Sequence, residues 1–248
     1  MAHLVVVGAG QAGASLVARL RKQGFDGRIT LIGAEPVPPY QRPPLSKAYL
    51  LGEMALERLY LRPESFYAEN DIDLRLGTPV TGIDPAAKTV SLGDETLSYD
   101  QLALTTGSVP RRLPAEIGGD LGGVHVVRTL ADVDAMAPDL REGARALIVG
   151  GGYIGLEAAA VCCKKGVQVT LVEMADRILQ RVAAPETSAY FRALHRDHGV
   201  LIREGVGLKR LTGESGRVSG AELADDSAVP ADFVVVGVGI APDTALAE

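Results

Sequence analysis

Two glycine-rich turns carry the residue types in this sequence that could do chemistry. Both have the spacing Gly-x-Gly-x-x-Gly, and their glycines are Gly8, Gly10, Gly13, Gly150, Gly152 and Gly155. In such a turn the first glycine permits the tight bend, the second lets a pyrophosphate approach the backbone, and the third lets the helix pack against the strand. The phosphate then lies at a helix N-terminus, where free N–H groups and the helix dipole favour negative charge. The sequence therefore predicts two dinucleotide-binding turns, with two purely structural turns as the alternative.

The acid that follows each turn, at the end of the second strand, differs between the two copies. Alignment of the two strands places Glu173 where a carboxylate would bind the ribose hydroxyls of a dinucleotide. Gly33 occupies this position in the first copy, so Glu35, two residues later, is the expected ribose acceptor there. A carboxylate repels a 2′-phosphate, and we expect the second turn to prefer NAD to NADP, although Arg177 could reach the same area. A solvated strand end is the alternative for either glutamate.

Each turn lies in the context that positions it, with a strand before it and a helix and a second strand after it. Residues 3–7, 11–23 and 28–32 have the patterns of a strand, a helix and a strand, and residues 145–173 repeat them in the same order. This repeat predicts two related nucleotide-binding units. Two dinucleotides that exchange a hydride would need two such units, one for a bound flavin and one for a diffusible nicotinamide.

The predicted fold is α/β, with two Rossmann-like three-layer dinucleotide-binding domains and the NAD domain inserted into a discontinuous FAD domain. We assign the FAD domain to residues 1–112 and 238–248 and the NAD domain to residues 113–237. The proline-rich loop at 34–47 is predicted to lack regular structure, because proline fixes φ and has no N–H. Short antiparallel strands are predicted at 72–76, 79–83, 87–92 and 95–99, and further strands at 102–113, 200–203, 206–211, 217–223 and 232–243.

Composition excludes several function classes. The net charge of −6 comes from scattered acids and bases, whereas a nucleic-acid-binding protein normally presents a basic face. No apolar run reaches membrane-spanning length, and the N-terminus shows no secretory signal pattern. We therefore expect a cytoplasmic protein with neither a nucleic-acid nor a membrane partner. The sequence leaves its oligomeric state open.

The two cysteines and four histidines show no metal-ligand spacing. Cys162 and Cys163 are adjacent in an apolar helical run, where a disulfide would be strained, so we interpret them as helix-packing residues. His195 and His198 lie three residues apart on a predicted helix without a third ligand, which favours a solvated helix face. We therefore predict no metal site.

Six motifs occur in one order along the chain. They are GAGQAG at 8–13, PYQRPPLSKAYL at 39–50, TTG at 105–107, VVRTL at 126–130, GGGYIGLE at 150–157 and VVVGVGIAPD at 234–243. Together they resemble the FAD-dependent ferredoxin reductases of the putidaredoxin reductase and rhodocoxin reductase type. The resemblance covers essentially the whole chain, and RPPLSKAYL is its most diagnostic stretch. It implies a flavoprotein that passes electrons from NADH through FAD to a [2Fe–2S] ferredoxin, which serves a cytochrome P450 or an oxygenase.

The resemblance also implies roles for individual residues. Lys47 would approach the reactive nitrogen of the flavin, Glu157 would pair with Lys47, and Tyr153 would cover the flavin face that nicotinamide must enter. A cation there stabilises the negative charge that develops as a hydride arrives, although Lys47 could instead be a plain surface lysine. Val80, on a strand, would meet the adenine, and Arg128 would reach FAD from the second unit. Besides the turn glycines, the residues expected to contact a dinucleotide are Ala12, Glu35, Arg42, Pro43, Lys47, Val80, Thr106, Gly107, Arg128, Tyr153, Ile154, Glu173 and Gly237.

The sequence departs from this family pattern at three places. Thr105 stands where alanine usually precedes the Thr-Gly pair, and Asp243 follows Pro242 where asparagine is usual. Family members also continue past the position of Glu248 with a second FAD segment, which contains a Gly-Asp pair, and a C-terminal domain that covers the flavin. We therefore expect these 248 residues to hold FAD less firmly than the longer family members do.

Two other enzyme classes of related fold are disfavoured by a missing thiol. A disulfide reductase would need a cysteine pair beside the flavin, and a flavin peroxidase or NADH oxidase would need one reactive cysteine there. The stretch PPLSKAYLLGEM has none, and Ser46 cannot cycle through a sulfenate or a disulfide. A nucleotide-binding module or an NADH sensor without electron transfer is the remaining alternative.

Overall fold

The computed structural model describes residues 1–248. Its α-helices are α1 Gln11–Lys22, α2 Ala48–Leu51, α3 Ser65–Glu69, α4 Leu130–Met136, α5 Tyr153–Lys164 and α6 Pro185–Asp197. Its strands are β1 His3–Val7, β2 Arg28–Ile32, β3 Ile72–Arg75, β4 Gly82–Asp84, β5 Thr89–Leu92, β6 Glu95–Ser98, β7 Gln101–Leu104, β8 Ser108–Pro110, β9 Val124–His125, β10 Arg145–Val149, β11 Gln168–Glu173, β12 Leu201–Glu204, β13 Leu208–Glu214, β14 Arg217–Leu223, β15 Ala228–Pro230, β16 Phe233–Val236 and β17 Ile240–Pro242. No helix has the combination of length and apolar character that crossing a bilayer requires.

The chain divides into two compact units. The first comprises Met1–Gln41, Ala55–Val109 and Pro242–Glu248, and the second comprises Arg42–Met54 and Pro110–Ala241. The predicted boundaries after residues 112 and 237 fall near those of the units, but the prediction assigns residues 42–54 to the first domain. The structure groups this segment with the second unit, because Ser46, Lys47 and Tyr49 bond to side chains of that unit.

The first unit has three layers around a parallel sheet of order β3-β2-β1-β7. Helix α1 packs on one face of this sheet, and the antiparallel sheet β4-β5-β6 covers the other. Side chains alternate along β1, so that Leu4 and Val6 face the helical layer while Val5 and Val7 face the antiparallel sheet. A strand that is buried on both faces has a continuous apolar sequence, as β1 has.

Three local predictions for the chain before β5 are corrected by the structure. The sequence predicts residues 72–76 as antiparallel, but β3 pairs in parallel with β2 and so belongs to the main sheet. The loop predicted at 34–47 includes a 3-10 helix at Pro43–Ser46, where the prolines occupy the first turn and need no N–H partner. Val80 precedes β4 and does not lie on a strand.

The second unit repeats the same plan. Its parallel sheet has the order β12-β11-β10-β16-β9, with α5 and α6 on one face and the antiparallel sheet β13-β14-β15 on the other. Strand β10 pairs with β11 and β16 as β1 pairs with β2 and β7. Val7 and Val149 are therefore equivalent, and each is followed directly by the first glycine of a turn. The predicted internal repeat and the α/β fold class are confirmed.

Candidate functional site

The first glycine turn joins β1 to α1. Gly8 has a φ of +111°, which favours glycine, and its N–H donates to the carbonyl oxygen of Ile32 at 2.8 Å. A Cβ atom at Gly8 would lie 2.2 Å from the carbonyl oxygen of Thr105, and one at Gly13 would lie 2.1 Å from that of Gly8. A Cβ atom at Gly10 would meet no atom within 4 Å. Close backbone approach thus explains Gly8 and Gly13, whereas Gly10 borders open space.

The second turn, between β10 and α5, reproduces these distances. A Cβ atom at Gly150 would lie 2.5 Å from the carbonyl oxygen of Gly237, and one at Gly155 would lie 2.0 Å from that of Gly150. A Cβ atom at Gly152 would again meet nothing within 4 Å. The central glycine is therefore the one glycine in each turn that packing within the chain leaves unexplained. A pyrophosphate that approaches the backbone at this position accounts for it.

Helices α1 and α5 begin without side-chain caps. Their N-cap residues are Gly10 and Gly152, and neither first turn contains an acidic residue. Helix α4, in contrast, begins with a capping box in which Thr129 and Asp132 each accept a hydrogen bond from the other's backbone N–H. Helices α2, α3 and α6 also lack side-chain caps, so the open first turns of α1 and α5 are compatible with a bound anion and do not by themselves indicate one.

Glu173 ends β11 and is held directly against the second turn. Its Oε2 accepts from the N–H of Gly151 at 2.6 Å, and its Oε1 accepts from the N–H of Ala175 at 2.8 Å. The carbonyl oxygen of Gly151 in turn accepts from the N–H of Leu179 at 2.9 Å. Each carboxylate oxygen has a second acceptor position, so Glu173 can still bind ribose hydroxyls in this fixed orientation.

Arg177 belongs to the loop that follows Glu173, but its side chain bonds to Ser188 and Gln180. Its Nη1 donates to the hydroxyl of Ser188 at 2.5 Å, and its Nη2 donates to the carbonyl oxygen of Gln180 at 3.3 Å. Ser188 is fully buried on α6 and donates its own hydroxyl to the carbonyl oxygen of Ile178. The guanidinium of Arg177 therefore connects the loop to α6.

The two units place small residues differently at the equivalent strand ends. In the first unit a Cβ atom at Gly33 would lie 2.7 Å from the Cβ of Ala9 in the turn. In the second unit a Cβ atom at Gly151 would lie 2.6 Å from Cγ2 of Ile178 and 3.2 Å from the Cβ of Glu173, so Ile178 is the main reason for a glycine there. In the first unit the alanine in the turn requires a glycine at the strand end. This exclusion explains why the acid of the first unit comes two residues later, at Glu35.

The other predicted contact residues of the first unit lie around this turn and at the end of β7. Ala12 is exposed in the first turn of α1. The hydroxyl of Thr106 donates to the carbonyl oxygen of Asp243 at 2.6 Å. The N–H of Asp243 donates to the carbonyl oxygen of Gly107 at 3.0 Å. Val80 is partly buried against the apolar cluster beneath the antiparallel sheet. Their contacts with a cofactor remain predictions.

Glu35 has a side-chain partner that the sequence did not indicate. Its Oε2 accepts from the hydroxyl of Tyr40 at 2.6 Å. Tyr40 is buried, and its backbone pairs with Tyr60 in an isolated bridge, so the proline-rich loop is fixed at this point. The bond to Tyr40 orients the carboxylate of Glu35.

Lys47 and Glu157 form the ion pair that the resemblance implied, within the second unit. The Nζ of Lys47 lies 2.6 Å from Oε2 of Glu157 and donates to the carbonyl oxygen of Pro43 at 3.2 Å. The side chain of Lys47 is 49% exposed. Ser46, which is 1% exposed, donates its hydroxyl to the same Oε2 at 2.5 Å. From the sequence, Ser46 was notable only because it is not a cysteine, and its bond to Glu157 was not predicted.

The remaining predicted contact residues lie on three segments of the second unit. Arg42 donates through Nη1 to the carbonyl oxygen of Arg128 at 2.6 Å, and Pro43 is exposed. Tyr153 and Ile154 begin α5 beside the turn and are 55% and 40% exposed. Exposed large side chains next to an uncapped helix N-terminus suit contact with a ligand. Whether they contact a cofactor stays a prediction.

The structure corrects one reading of the histidines and confirms that of the cysteines. His195 is buried, with Nε2 3.1 Å from the carbonyl oxygen of Leu156, so it does not belong to a solvated helix face. His198 is exposed after the end of α6. Cys162 is buried on α5, Cys163 is partly buried, and both thiols are free. Burial raises the pKa of Cys162 to about 12, which makes this thiol inert. No three His, Cys, Asp or Glu side chains form a group that could hold a metal ion.

Comparison with known proteins identifies the family. The model of the pyridine nucleotide-disulphide oxidoreductase family matches residues 2–248. The chain belongs to this family. Its cofactors are FAD and NAD(H), two dinucleotides for which the two turns provide matching backbone. The membership agrees with the paired open glycines and the uncapped helices α1 and α5.

Relatives within the family are ferredoxin reductases, as the resemblance predicted. A ferredoxin–NAD(P)+ reductase of a Sphingomonas species is 48% identical over 240 residues, which cover 96% of this chain and 58% of the relative. Putidaredoxin reductase of Pseudomonas putida is 41% identical over 252 residues, covering 99% of this chain and 60% of the relative. The crystal structure of the covalent putidaredoxin reductase–putidaredoxin complex matches with a TM-score of 0.95 and 41% identity, over 99% of this chain and 60% of that one. The chain thus spans less than two thirds of these relatives.

Proposed function

We propose that this protein is an NADH-dependent flavoprotein reductase that passes electrons from NADH through FAD to a [2Fe–2S] ferredoxin serving a cytochrome P450 or an oxygenase. The observation that carries the proposal is the pair of turns in which only the central glycine, Gly10 or Gly152, borders open space. Such a reductase needs two dinucleotides on one chain. FAD supplies what no side chain can, which is acceptance of a hydride and release of single electrons.

In this proposal the second turn binds NADH. The first-turn N–H groups of α5 hold the pyrophosphate, and the carboxylate of Glu173 accepts hydrogen bonds from the ribose hydroxyls. Glu173 is fixed by Gly151 and Ala175 and cannot swing away from a 2′-phosphate without losing both bonds. Arg177 donates to Ser188 and to the carbonyl oxygen of Gln180, and these bonds direct its guanidinium towards α6. NADH is therefore the expected donor, in preference to NADPH.

Lys47, Glu157 and Tyr153 act at the reacting centre in this proposal. Lys47 supplies the positive charge that stabilises the flavin as the hydride arrives. Glu157 orients the ammonium group of Lys47, and the hydroxyl of Ser46 fixes the same carboxylate oxygen. Tyr153 covers the nicotinamide position and moves aside when NADH enters. Its side chain is 55% exposed, so packing within its own unit does not hold it in place.

The proposed electron acceptor follows from the names of the relatives. The Sphingomonas relative is a ferredoxin–NAD(P)+ reductase, and putidaredoxin reductase is seen in a covalent complex with putidaredoxin. We carry over the same class of acceptor to this chain. The [2Fe–2S] cluster of the acceptor and the oxygenase that it serves are parts of the proposal.

An anaerobic titration tests the proposal. The purified chain is supplied with FAD, freed of excess, and its visible spectrum is recorded before and after NADH or NADPH is added. We expect bound flavin whose absorption bands bleach with NADH and much more slowly with NADPH. A chain that binds NADH but takes up no FAD would contradict the proposal and would support the nucleotide-binding module instead.

A second experiment tests Lys47 directly. Lys47→Ala should slow flavin bleaching by NADH on the order of a hundredfold, as loss of one preorganised charge-stabilising donor does in other enzymes, with little change in NADH affinity. Lys209→Ala is the matched control, because Lys209 is an exposed lysine of the same unit that pairs with Glu222 and Asp226. Equal bleaching rates for the wild type and Lys47→Ala would remove Lys47 from the reaction.

A further inference from the structure

The carbonyl oxygen of Gly8, inside the first turn, receives a side-chain hydrogen bond. The hydroxyl of Thr105 donates to it at 2.7 Å and also lies 3.1 Å from the carbonyl oxygen of Val7. The N–H of Thr105 donates to that same Val7 oxygen at 2.8 Å. Thr105 thus bonds the end of β1 and the start of the turn through its backbone and its side chain together.

The second unit provides an internal comparison for this contact. Gly237 is equivalent to Thr105, because its N–H donates to the carbonyl oxygen of Val149 at 2.8 Å, as that of Thr105 does to Val7. Its own carbonyl oxygen also faces the first turn glycine, 2.5 Å from a Cβ atom placed on Gly150. Gly237 has no side chain, so the carbonyl oxygen of Gly150 receives no hydroxyl. The two turns therefore differ at this position by one hydroxyl-bearing side chain.

The direction of a carbonyl group matters in a turn that binds an anion. The N–H groups must face the phosphate and the carbonyl oxygens must face away, because those oxygens carry partial negative charge. Thr105 provides the oxygen of Gly8 with a donor on the protein side of the turn. The same oxygen lies where a Cβ atom of Gly13 would be, so its direction also determines how closely α1 approaches β1.

We propose that Thr105 is a positioning residue for cofactor binding by the first unit. Its hydroxyl fixes the Gly8 peptide in the orientation that presents the N–H groups at the start of α1 to the pyrophosphate of FAD. The inference rests on the proposed function, which assigns FAD to this unit. It concerns a hydroxyl that has no counterpart at Gly237 in the second unit.

The dissociation constant of FAD tests the inference, measured by quenching of FAD fluorescence as the flavin-free chain is added. Thr105→Val keeps the side-chain shape and removes the hydroxyl, and it should weaken FAD binding about tenfold, as expected for the loss of one partly buried hydrogen bond. Thr105→Ser keeps the hydroxyl and should remain within about twofold of the wild type. Thr105→Ala should resemble Thr105→Val, which covers the case of a valine that disturbs folding.

Two controls separate the possible failures. Thr78→Val removes a hydroxyl that donates to the carbonyl oxygen of Leu76 at 3.0 Å, in the same unit but outside the turn, and should leave FAD affinity unchanged. The affinity for NADH should be unchanged in every variant. Equal FAD affinity in the wild type, Thr105→Val and Thr105→Ala would overturn the inference alone, and so would equal weakening in Thr105→Ser and Thr105→Val. A wild-type chain that binds NADH but no FAD would overturn the proposed function and the inference with it.

Discussion

The two glycine turns have the same backbone geometry but are held by different groups. In the first unit the hydroxyl of Thr105 binds a turn carbonyl, and the acid near the turn, Glu35, is anchored separately by Tyr40. In the second unit Glu173 both binds the N–H of Gly151 and is the proposed ribose acceptor, while the N–H of Leu179 donates to the carbonyl oxygen of Gly151. In the first unit one residue thus fixes the backbone of the turn and another is proposed to bind the ribose of the cofactor. In the second unit one carboxylate is proposed to do both.

This difference suits the two proposed ligands. A resident flavin benefits from a turn whose shape does not depend on the ligand, and Thr105 fixes the first turn from the protein side. A nicotinamide that enters and leaves is selected each time it binds, and Glu173 couples the shape of the second turn to the group that distinguishes NADH from NADPH. The following variants test the comparison, from the largest expected effect to the smallest.

The largest effect is expected at the third glycine of either turn. A methyl group at Gly155 would lie 2.0 Å from the carbonyl oxygen of Gly150, so Gly155→Ala should weaken NADH binding about a hundredfold by forcing α5 away from β10. Gly13→Ala should do the same to FAD binding, since its methyl group would lie 2.1 Å from the oxygen of Gly8. Calorimetric titration of each variant with both ligands checks this. Loss of both ligands in a variant that still unfolds cooperatively would contradict the separate assignment of the turns.

Removal of the acid should affect the two units unequally. Glu173→Ala removes the partner of the Gly151 N–H and the ribose acceptor together, and should weaken NADH binding about twentyfold while it raises the ratio of NADPH to NADH affinity. Glu35→Ala should weaken FAD binding only about threefold, because Thr105 still holds the first turn. Affinities for NADH, NADPH and FAD check both statements. Equal losses of affinity, for NADH in Glu173→Ala and for FAD in Glu35→Ala, would mean that fixing the turn and binding the ribose are not divided between residues as described.

Substitution of a central glycine should lower ligand affinity without lowering thermal stability. A methyl group at Gly152 would meet no protein atom within 4 Å, so Gly152→Ala should leave the thermal midpoint nearly unchanged. The same methyl group would occupy the space of a pyrophosphate and should weaken NADH binding about tenfold. Thermal unfolding and NADH titration of one preparation check the pair of outcomes. An Ala variant with wild-type affinity would mean that the pyrophosphate does not approach at Gly152.

The cores of the two units differ in the satisfaction of buried polar groups. In the first unit the hydroxyl of Tyr67 is buried without a hydrogen-bond partner, and burial raises its pKa to about 12. In the second unit the buried side chains of Ser188 and His195 are both hydrogen-bonded. Tyr67→Phe should therefore increase the free energy of unfolding of the first unit by about 1 kcal/mol. Urea unfolding checks this, and a lower stability would indicate that the hydroxyl has a partner in solution.

The smallest effect is expected from transfer of the Thr105 contact to the second turn. A Cβ atom at Gly237 would lie 3.4 Å from the N–H nitrogen of Gly155, so a serine fits with a minor adjustment. Its hydroxyl could then donate to the carbonyl oxygen of Gly150, and Gly237→Ser should tighten NADH binding about threefold. Gly237→Ala is the control without the hydroxyl and should not tighten binding. Equal affinities in both variants would show that the contact does not transfer.

The sequence predicts the parts of each unit that depend on local pattern. β1, β2 and β14 have their predicted bounds. In β1 and β2 a continuous run of mainly apolar, largely β-branched residues has few other solutions. The glycine turns and Glu173 were also predictable, since the spacing of the glycines, strand and acid follows from the geometry of one strand–turn–helix unit. These features need no information about distant segments.

The features that the sequence missed depend on contacts between residues far apart in the chain. The bond between Ser46 and Glu157, the burial of His195 against Leu156 and the bond from Thr105 to Gly8 join residues 111, 39 and 97 positions apart. β3 was predicted as antiparallel because its alternation resembles that of the strands after it, and only its pairing with β2 shows the difference. The pattern of one segment indicates which secondary structure it can form. The distant segment that it contacts determines its pairing direction and its side-chain bonds.

The chain passes between the two units four times, at the boundaries that follow Gln41, Met54, Val109 and Ala241. This order of segments has a consequence for protein synthesis. Ser46 leaves the ribosome 111 residues before Glu157. At a translation rate of about 5 to 20 residues per second, the segment at 42–54 therefore emerges roughly 6 to 20 s before its partner. Thr106 must likewise wait for Asp243. The three segments of the unit that is translated first are therefore all present only after nearly all of these residues have emerged.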